Sequence, residues 1–293
     1  MAIRVRSGGH SYDDVFWAIR GGGGGSWGVV YAWKLRLVPV PDNVTVFSVA
    51  RTGPAELIAG LMHRWQYVGP SLHDEFYLST LIPTRSSADG NISMSFTAQI
   101  LGPKQLAMSV LNQSFPELGL AESELSEVNW LESAVKFAGV SSVASLTNRQ
   151  PGVGEYAKRK SDYVQDRPVL VDGARGIVHP AGPPYGGAMA RIGSTDTPFP
   201  RIIQYAVTWN ASDMDRSDGH VEWLRSFYAF MASYVSKNPR AAYVNYLDLD
   251  LGTNDWMNAT GGTFNNGSVG HAASWGERYF FMNFDRLVQA KTN

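Results

Sequence analysis

The sequence predicts an α+β fold, an antiparallel sheet covered by helices on one face. Three observations carry this. Phe76, Leu78, Thr80 and Ile82, and then Ile92, Met94, Phe96, Ala98 and Ile100, alternate with polar residues across a turn-rich stretch from Pro83 to Asn91. Two longer segments, about Pro54 to Val68 and Asp213 to Lys237, place apolar residues at helical spacing. Regular strand–helix alternation is scarce, which argues against a doubly wound sheet.

Taken in chain order, Val15 to Arg20 is an apolar, strand-like run that ends at glycines Gly21 to Gly25. Val29 to Val40 alternates, with Val29, Tyr31, Trp33, Leu35 and Leu37 on one face and Lys34 and Arg36 on the other, so a half-buried strand is expected, stopped by Pro39 and Pro41. Pro54 suits the first turn of a helix whose stripe is Leu57, Ile58, Leu61, Met62 and Trp65. After the two alternating strands, helices are expected over Lys104 to Phe115 and Asn129 to Ala138. The chain then reads as irregular until Tyr185 to Ile192 and Ile202 to Trp209, both strand-like. Val221, Leu224, Tyr228, Met231 and Tyr234 form the stripe of the long helix that Pro239 ends. Tyr243 to Leu251 alternates again, and Trp275 to Lys291 reads as the last helix.

The 293 residues carry 25 basic and 26 acidic side chains, so no global field draws nucleic acid or an anionic membrane. No apolar run approaches the roughly 20 residues of a bilayer span, and the N-terminus shows no signal-peptide h-region. Cysteine is absent, which excludes disulfides, thiolate metal sites and cysteine nucleophiles. Six N-x-S/T triplets, at Asn43, Asn91, Asn112, Asn210, Asn258 and Asn266, are dense enough to point to a glycosylated, secreted protein.

Gly23 to Gly28 formally matches G-x-G-x-x-G, but a dinucleotide site needs a helix to open at the last glycine and an acidic residue about 20 positions on. A strand-like segment follows instead, and Val46 to Ala50 holds no acid, so a turn between two strands is the better reading. Asp248, Asp250 and Gly252 resemble a calcium loop only superficially, and no metal site is expected. No G-x-S-x-G elbow supports a hydrolase.

Local words then point to a family. Arg6-Ser7-Gly8-Gly9-His10-Ser11-Tyr12 resembles the RSGGH-x-Y segment of the berberine-bridge-enzyme-like FAD-linked oxidases, within the vanillyl-alcohol-oxidase superfamily. Phe16-Trp17-Ala18-Ile19-Arg20 with the glycine run and Ser26-Trp27-Gly28-Val29-Val30 resembles FWAIRGGGGGSFGVV. Lys160 to Val164, Tyr185 to Gly187, Thr197 to Pro200, Ile203 to Tyr205, Asn245 to Gly252, Trp275 to Phe280 and Asn283 to Leu287 match further family words, in the family's order. The resemblance implies FAD joined covalently through His10, a tether that raises the flavin's potential for accepting a hydride. It assigns Arg6, Ser7, Gly8, Gly9, Gly25, Gly28, Val29 and Asn245 to the cofactor, and Gln204 and Tyr246 to catalysis. A neutral Gln204 orients the substrate rather than deprotonating it, while Tyr246 matches a tyrosine that serves as a base in some relatives. Taken without the resemblance, Gln204 reads as part of a solvated strand face, Tyr246 as a core tyrosine and His10 as a surface loop residue.

The implied partner is a small molecule (an aromatic, alkaloid or carbohydrate alcohol), acting on a monomer that is secreted or held in the cell wall or vacuole, as in plant specialised metabolism. The pattern also breaks. The family has a long stretch between RSGGH-x-Y and FWAIRGG, where Tyr12 and Phe16 here lie close together, so the second, cysteinyl attachment and the loops around the pyrophosphate have no counterpart. The expected organisation is a remnant of an α+β FAD-binding domain at 1–41, a substrate-binding domain at 42–238 and a C-terminal segment at 239–293 that returns to the FAD domain. The chain as written then reads as a mis-spliced product, a pseudogene product or a fragment, with weak flavin binding. The alternative is a cofactor-free module that binds small molecules.

Overall fold

The computed structural model describes residues 13–23, 26, 27, 29–83, 90–148, 155–164, 168, 169, 174, 189–194, 201–253 and 266–292. They fall into two compact units, 39–236 and, from both ends of the chain, 1–38 with 237–293.

The larger unit is built on a seven-stranded antiparallel sheet. Its strands are β1 (Asn43–Gly53), β2 (Phe76–Pro83), β3 (Ile92–Ile100), β4 (Ser126–Asn129), β5 (Glu155–Val164), β6 (Met189–Ser194) and β7 (Arg201–Asn210), in the order β4-β1-β3-β2-β6-β7-β5. Register fixes which side chains share a face. Val49, Phe96, Thr80, Ile192, Ile203 and Asp162 lie in one row, and Phe47, Ala98 and Leu78 in the next but one on the same side. This is the face that the helices α2 (Ala55–Val68), α3 (Lys104–Ser114) and α5 (Ser217–Met231) cover, with Trp65, Leu111, Leu224, Phe227 and Met231 joining the strand residues in one core. Edge-to-face pairs knit the two layers: Phe96 with Phe115 at 5.6 Å and Tyr205 with Phe227 at 5.3 Å. The remaining helix, α4 (Trp130–Ala138), starts from a capping box between Asn129 and Glu132, and its Phe137 meets Tyr77 on the opposite face of the sheet.

The α+β architecture with helices over an antiparallel sheet is as the sequence predicts, and so are β2, β3, β7, α2, α3 and α4. Within α2 the apolar stripe is narrower than expected, because Leu57 is half-exposed while Ile58, Leu61, Met62 and Trp65 are buried. The stretch read as irregular contains β5. Its alternation is disguised because Lys160 and Asp162 stand on the helix-covered face, both buried, the Lys160 ammonium lying over the Tyr228 ring at 4.7 Å. The expected helix over Asp213 to Lys237 is shorter. A 3-10 turn, Ala211–Arg216, precedes α5, and the helix stops at Met231, so Tyr234 lies beyond its end.

In the smaller unit three strand expectations fail or change. Val15 to Arg20 is not a strand but part of α1 (Asp13–Gly22); a short apolar run does not separate helix from strand, and here Asp13 and Asp14 in the first turn and Arg20 in the last suit the helix dipole. The glycine run therefore leaves a helix rather than a strand, and Gly23 takes a φ of 88°, a left-handed conformation open to glycine. Val29 to Val40 forms no strand, since period two needs a partner strand to become a ladder and none pairs with it among the described residues. Tyr243 to Leu251 folds as turns with the alternation inverted, Leu247 and Leu249 exposed and Asp248 buried. Asp248 captures its own loop: its carboxylate accepts from the Asp250 N–H at 3.1 Å and its carbonyl from that of Leu251 at 3.0 Å. The last helix is broken in two, α6 (Asn266–Phe280) and α7 (Phe284–Thr292), at a 3-10 turn where Phe281 has a φ of 52°. Helices α1 and α7 pack through Ala18, Leu287 and Ala290, tied by an Arg286–Asp14 ion pair at 2.7 Å and by the Arg286 guanidinium over the Trp17 ring at 4.0 Å.

Candidate functional site

In the larger unit Gln204 sits in β7 on the face opposite α2, α3 and α5. Register sets it between Ser161 of β5 and Arg191 of β6, in a row that continues through Leu81 and Ser95 to Ala50. Gln204 is half-buried, and its neighbours on the same face, Ser161, Tyr163 and Ala206, are buried. The surroundings are therefore not those of a solvated strand face. A primary amide there offers two N–H donors and one acceptor oxygen but no base, so it can orient a polar ligand and cannot take its proton.

In the smaller unit Tyr246 lies in a turn whose backbone N–H donates to the Tyr243 carbonyl at 2.9 Å. The two tyrosine rings meet edge to face at 5.1 Å, and the Asn245 amide donates to Tyr243 Oη at 2.6 Å. Two residues on, the Asp248 N–H donates to Tyr279 Oη at 2.9 Å. Burial holds the Tyr279 phenol above its ordinary pKa of 10.0, the Asp248 carboxylate adding to the rise while the Asp248 N–H and Arg278 oppose it.

Sequence reasoning passed over one feature. Trp17, Arg20, Tyr279, Phe280, Asn283 and Leu287 line a cleft of about 430 Å³ in this unit. Its walls come from three of the sequence words quoted above, one at 16–20 and two neighbouring ones at 275–280 and 283–287. The words are legible in the sequence, but that they meet is not, because a run as short as Val15 to Arg20 does not show locally that it is a helix packed on α7.

Arg6, Ser7, Gly8, Gly9, His10, Gly25 and Gly28 lie outside the described residues. Of the cofactor set, Val29 and Asn245 are described. Val29 is 98% exposed, and the Asn245 amide is engaged with Tyr243.

No helix among the described residues is long and apolar enough to cross a membrane. No cluster of metal-ligating side chains occurs among them either.

Comparison with known proteins gives a consistent set of similarities. Residues 242–293 match the family model described as berberine and berberine like. The chain is 44% identical over 311 residues to berberine bridge enzyme-like D-2 of Nicotiana tabacum, covering 96% of this chain and 54% of that protein. It is 40% identical over 296 residues to reticuline oxidase of Eschscholzia californica, again with 96% and 54% covered. A solved structure of a berberine bridge enzyme variant in complex with (S)-reticuline superposes with a TM-score of 0.85 at 36% identity, covering 96% of this chain and 58% of that one. The chain thus spans about half the length of the curated relatives it matches.

Proposed function

The chain belongs to the berberine bridge enzyme-like family, and from that premise we propose that it is the substrate-side portion of an FAD-dependent oxidoreductase acting on a small organic molecule. One observation carries the reading: the similarity runs through 96% of the chain, at 36% identity and a TM-score of 0.85 to a structure in complex with (S)-reticuline. In this reading the face of the sheet that bears Gln204 receives the substrate. Gln204 fixes a hydroxyl or amine through its amide, Tyr246 is the base that removes the coupled proton, and Asn245 with residues 6–10, 25, 28 and 29 belongs to the flavin side, His10 as the tether. Because the family's stretch between RSGGH-x-Y and FWAIRGG, with its cysteinyl attachment and pyrophosphate loops, has no counterpart in this sequence, turnover by this chain is expected to be weak or absent. The substrate is an aromatic, alkaloid or carbohydrate alcohol, bound by a single chain.

The test is a visible spectrum of the purified chain, beside fluorescence titration with (S)-reticuline, a monolignol and a simple sugar. The expected result is saturable binding of one class by a protein with less than stoichiometric flavin. A stoichiometric flavin spectrum overturns the weak-turnover part, and no saturable binding overturns the substrate-side assignment.

The missing counterpart of the family's cysteinyl attachment and pyrophosphate loops favours a second reading, a cofactor-free module that binds small molecules in its own right. Added FAD separates the two: slow, substrate-dependent bleaching of the flavin supports the oxidoreductase, and its complete absence with binding intact supports the module.

The sequons support a glycosylated, secreted protein. Asn43, Asn112 and Asn210 are exposed, as acceptor sites must be. A mobility shift on enzymatic deglycosylation of the protein from its native tissue is the expected outcome.

A further inference from the structure

Gln204 is accompanied on its face of the sheet by two cations. Register sets Arg191 of β6 directly opposite Gln204, and sets Arg159 of β5 opposite Ala206, one step along the same face. Cβ atoms of directly opposed residues stand about 4.5–5.5 Å apart, and diagonal neighbours such as Arg159 and Gln204 about 7–8 Å, within the reach of a long side chain. Arg159 is exposed, and no ion pair or side-chain hydrogen bond joins it to another described residue. Arg51 and Arg286, by contrast, each hold a carboxylate. The side chain facing Arg159 is the buried methyl of Ala206, which offers it no partner.

Acids are scarce on this face. Among the described strand positions that share it, those of β1, β2, β3, β4, β6 and β7 carry no carboxylate. On β5 the nearest is Glu155, four residues from Arg159 and about 13 Å along the strand. Asp162 stands on the opposite, helix-covered face. We propose that the substrate received here carries a carboxylate beside the group that Gln204 holds, and that Arg159, with Arg191, selects it. The selection rests on the reading of this face as the substrate side, and it narrows the substrate class to alcohols that also bear an acid.

The charges decide what Gln204 alone cannot. A neutral amide donates to a hydroxyl or to a carboxylate and fixes no charge on the ligand. A guanidinium matches a carboxylate with two parallel N–H donors, a stronger and more directional pairing. An alkaloid that carries its amine as an ammonium meets two like charges instead, and a neutral sugar or benzylic alcohol gains nothing from either. Because Arg159 is exposed, added salt screens the attraction.

Fluorescence titration of the full chain with two matched pairs tests it: para-(hydroxymethyl)benzoate against benzyl alcohol, and glucuronate against glucose, with (S)-reticuline as the cationic comparison. The members of each pair share a ring and differ in the carboxylate. In the pair whose ring fits, the acid is expected to bind about tenfold more tightly than its neutral partner, and less so as salt is added. Arg159→Gln is expected to bring that ratio to within about twofold of one, and Arg191→Gln to lower it. Lys158→Gln removes the same charge one residue away, on the helix-covered face opposite Val207, and is expected to keep the ratio. Unchanged circular dichroism checks that each variant folds. Equal affinities within both pairs, or tightest binding of (S)-reticuline, overturn the carboxylate proposal and leave the substrate-side reading standing. So does a ratio that survives Arg159→Gln, or one that Lys158→Gln lowers as far. Absence of saturable binding by any of these compounds overturns the substrate-side reading itself, and the carboxylate proposal with it.

Discussion

Gln66 shows what one side chain can do in this fold. It lies buried in the last turn of α2, its Nε2 donating to the Val169 carbonyl at 3.1 Å and its Oε1 accepting from the Val169 N–H at 2.8 Å, so that it pairs with a backbone as a strand would. The Val169 carbonyl also meets His63 Nδ1 at 3.0 Å, whereas its N–H has Gln66 as its partner. Gln66→Leu keeps the volume and orphans that donor, which costs about 1–3 kcal/mol. The urea midpoint is expected to fall with an unchanged m-value. Tyr279 has a different signature. Its folded pKa lies above the ordinary 10.0, so the folded state holds the proton more tightly than the unfolded state does. The stability this contributes is fully present below pH 10 and is lost as pH rises through the higher folded value. Tyr279→Phe removes the acceptor of the Asp248 N–H, costing about 1 kcal/mol at neutral pH, and is expected to flatten the alkaline arm of the stability profile. An alkaline arm as steep as the parent's would refute this reading of the phenol.

At the scale of elements, the parts legible in the sequence are those whose pattern is set by local rules. Strands β2 and β3 alternate because one face meets the core, and α4 begins where Asn129 accepts from the Glu132 N–H at 2.9 Å while Glu132 bonds back to Asn129 N. Asn129→Ala is expected to destabilise by about 1 kcal/mol, with far-UV circular dichroism losing helix first on heating. A thermal midpoint equal to the parent's would mean that packing of Phe137 on Tyr77, rather than the cap, starts this helix. The illegible elements are those decided by distant partners. Lys160 and Asp162 hide β5 because charged residues on a buried face look like a loop. The turn from Tyr243 to Leu251 looks like a strand because nothing local announces that Tyr279, on α6, will hold the Asp248 N–H. The same division runs through the candidate site. The face of Gln204 followed from alternation along β7, whereas the roles of Gln204, Tyr246 and His10 came from resemblance, since an amide, a phenol and an imidazole have no spacing of their own that marks chemistry.

For the whole molecule, the two units differ in how much apolar surface they exclude from water. In the larger, a layer of helices closes over one face of a seven-stranded sheet, and Trp65, Tyr205, Phe96 and Phe115 are almost wholly buried. In the smaller, the described core is Ala18, Leu287 and Ala290, with Trp17, Trp27 and Phe280 partly buried against it. Burial contributes roughly 25 cal/mol per Å², so the larger unit has by far the greater apolar contribution to resist opening. Three close contacts in the smaller unit raise its sensitivity further: a Cβ on Gly22 would lie 2.2 Å from the Trp27 ring, one on Gly252 2.1 Å from the Trp275 ring, and one on Gly276 2.2 Å from the Phe284 ring. Native-state hydrogen exchange is expected to separate the units. The amides of β1, β2 and β3 should exchange only by the rarest, global opening, while those of α1 and α7 exchange through local opening at a lower free energy. Gly22→Ala should accelerate exchange in α1 and α7 and leave β3 unchanged, because Gly22 and β3 belong to separate compact units with separate cores. If β3 and α7 instead exchange at one common free energy, and Gly22→Ala lowers both equally, the units unfold as one cooperative body and the division drawn from their cores is wrong.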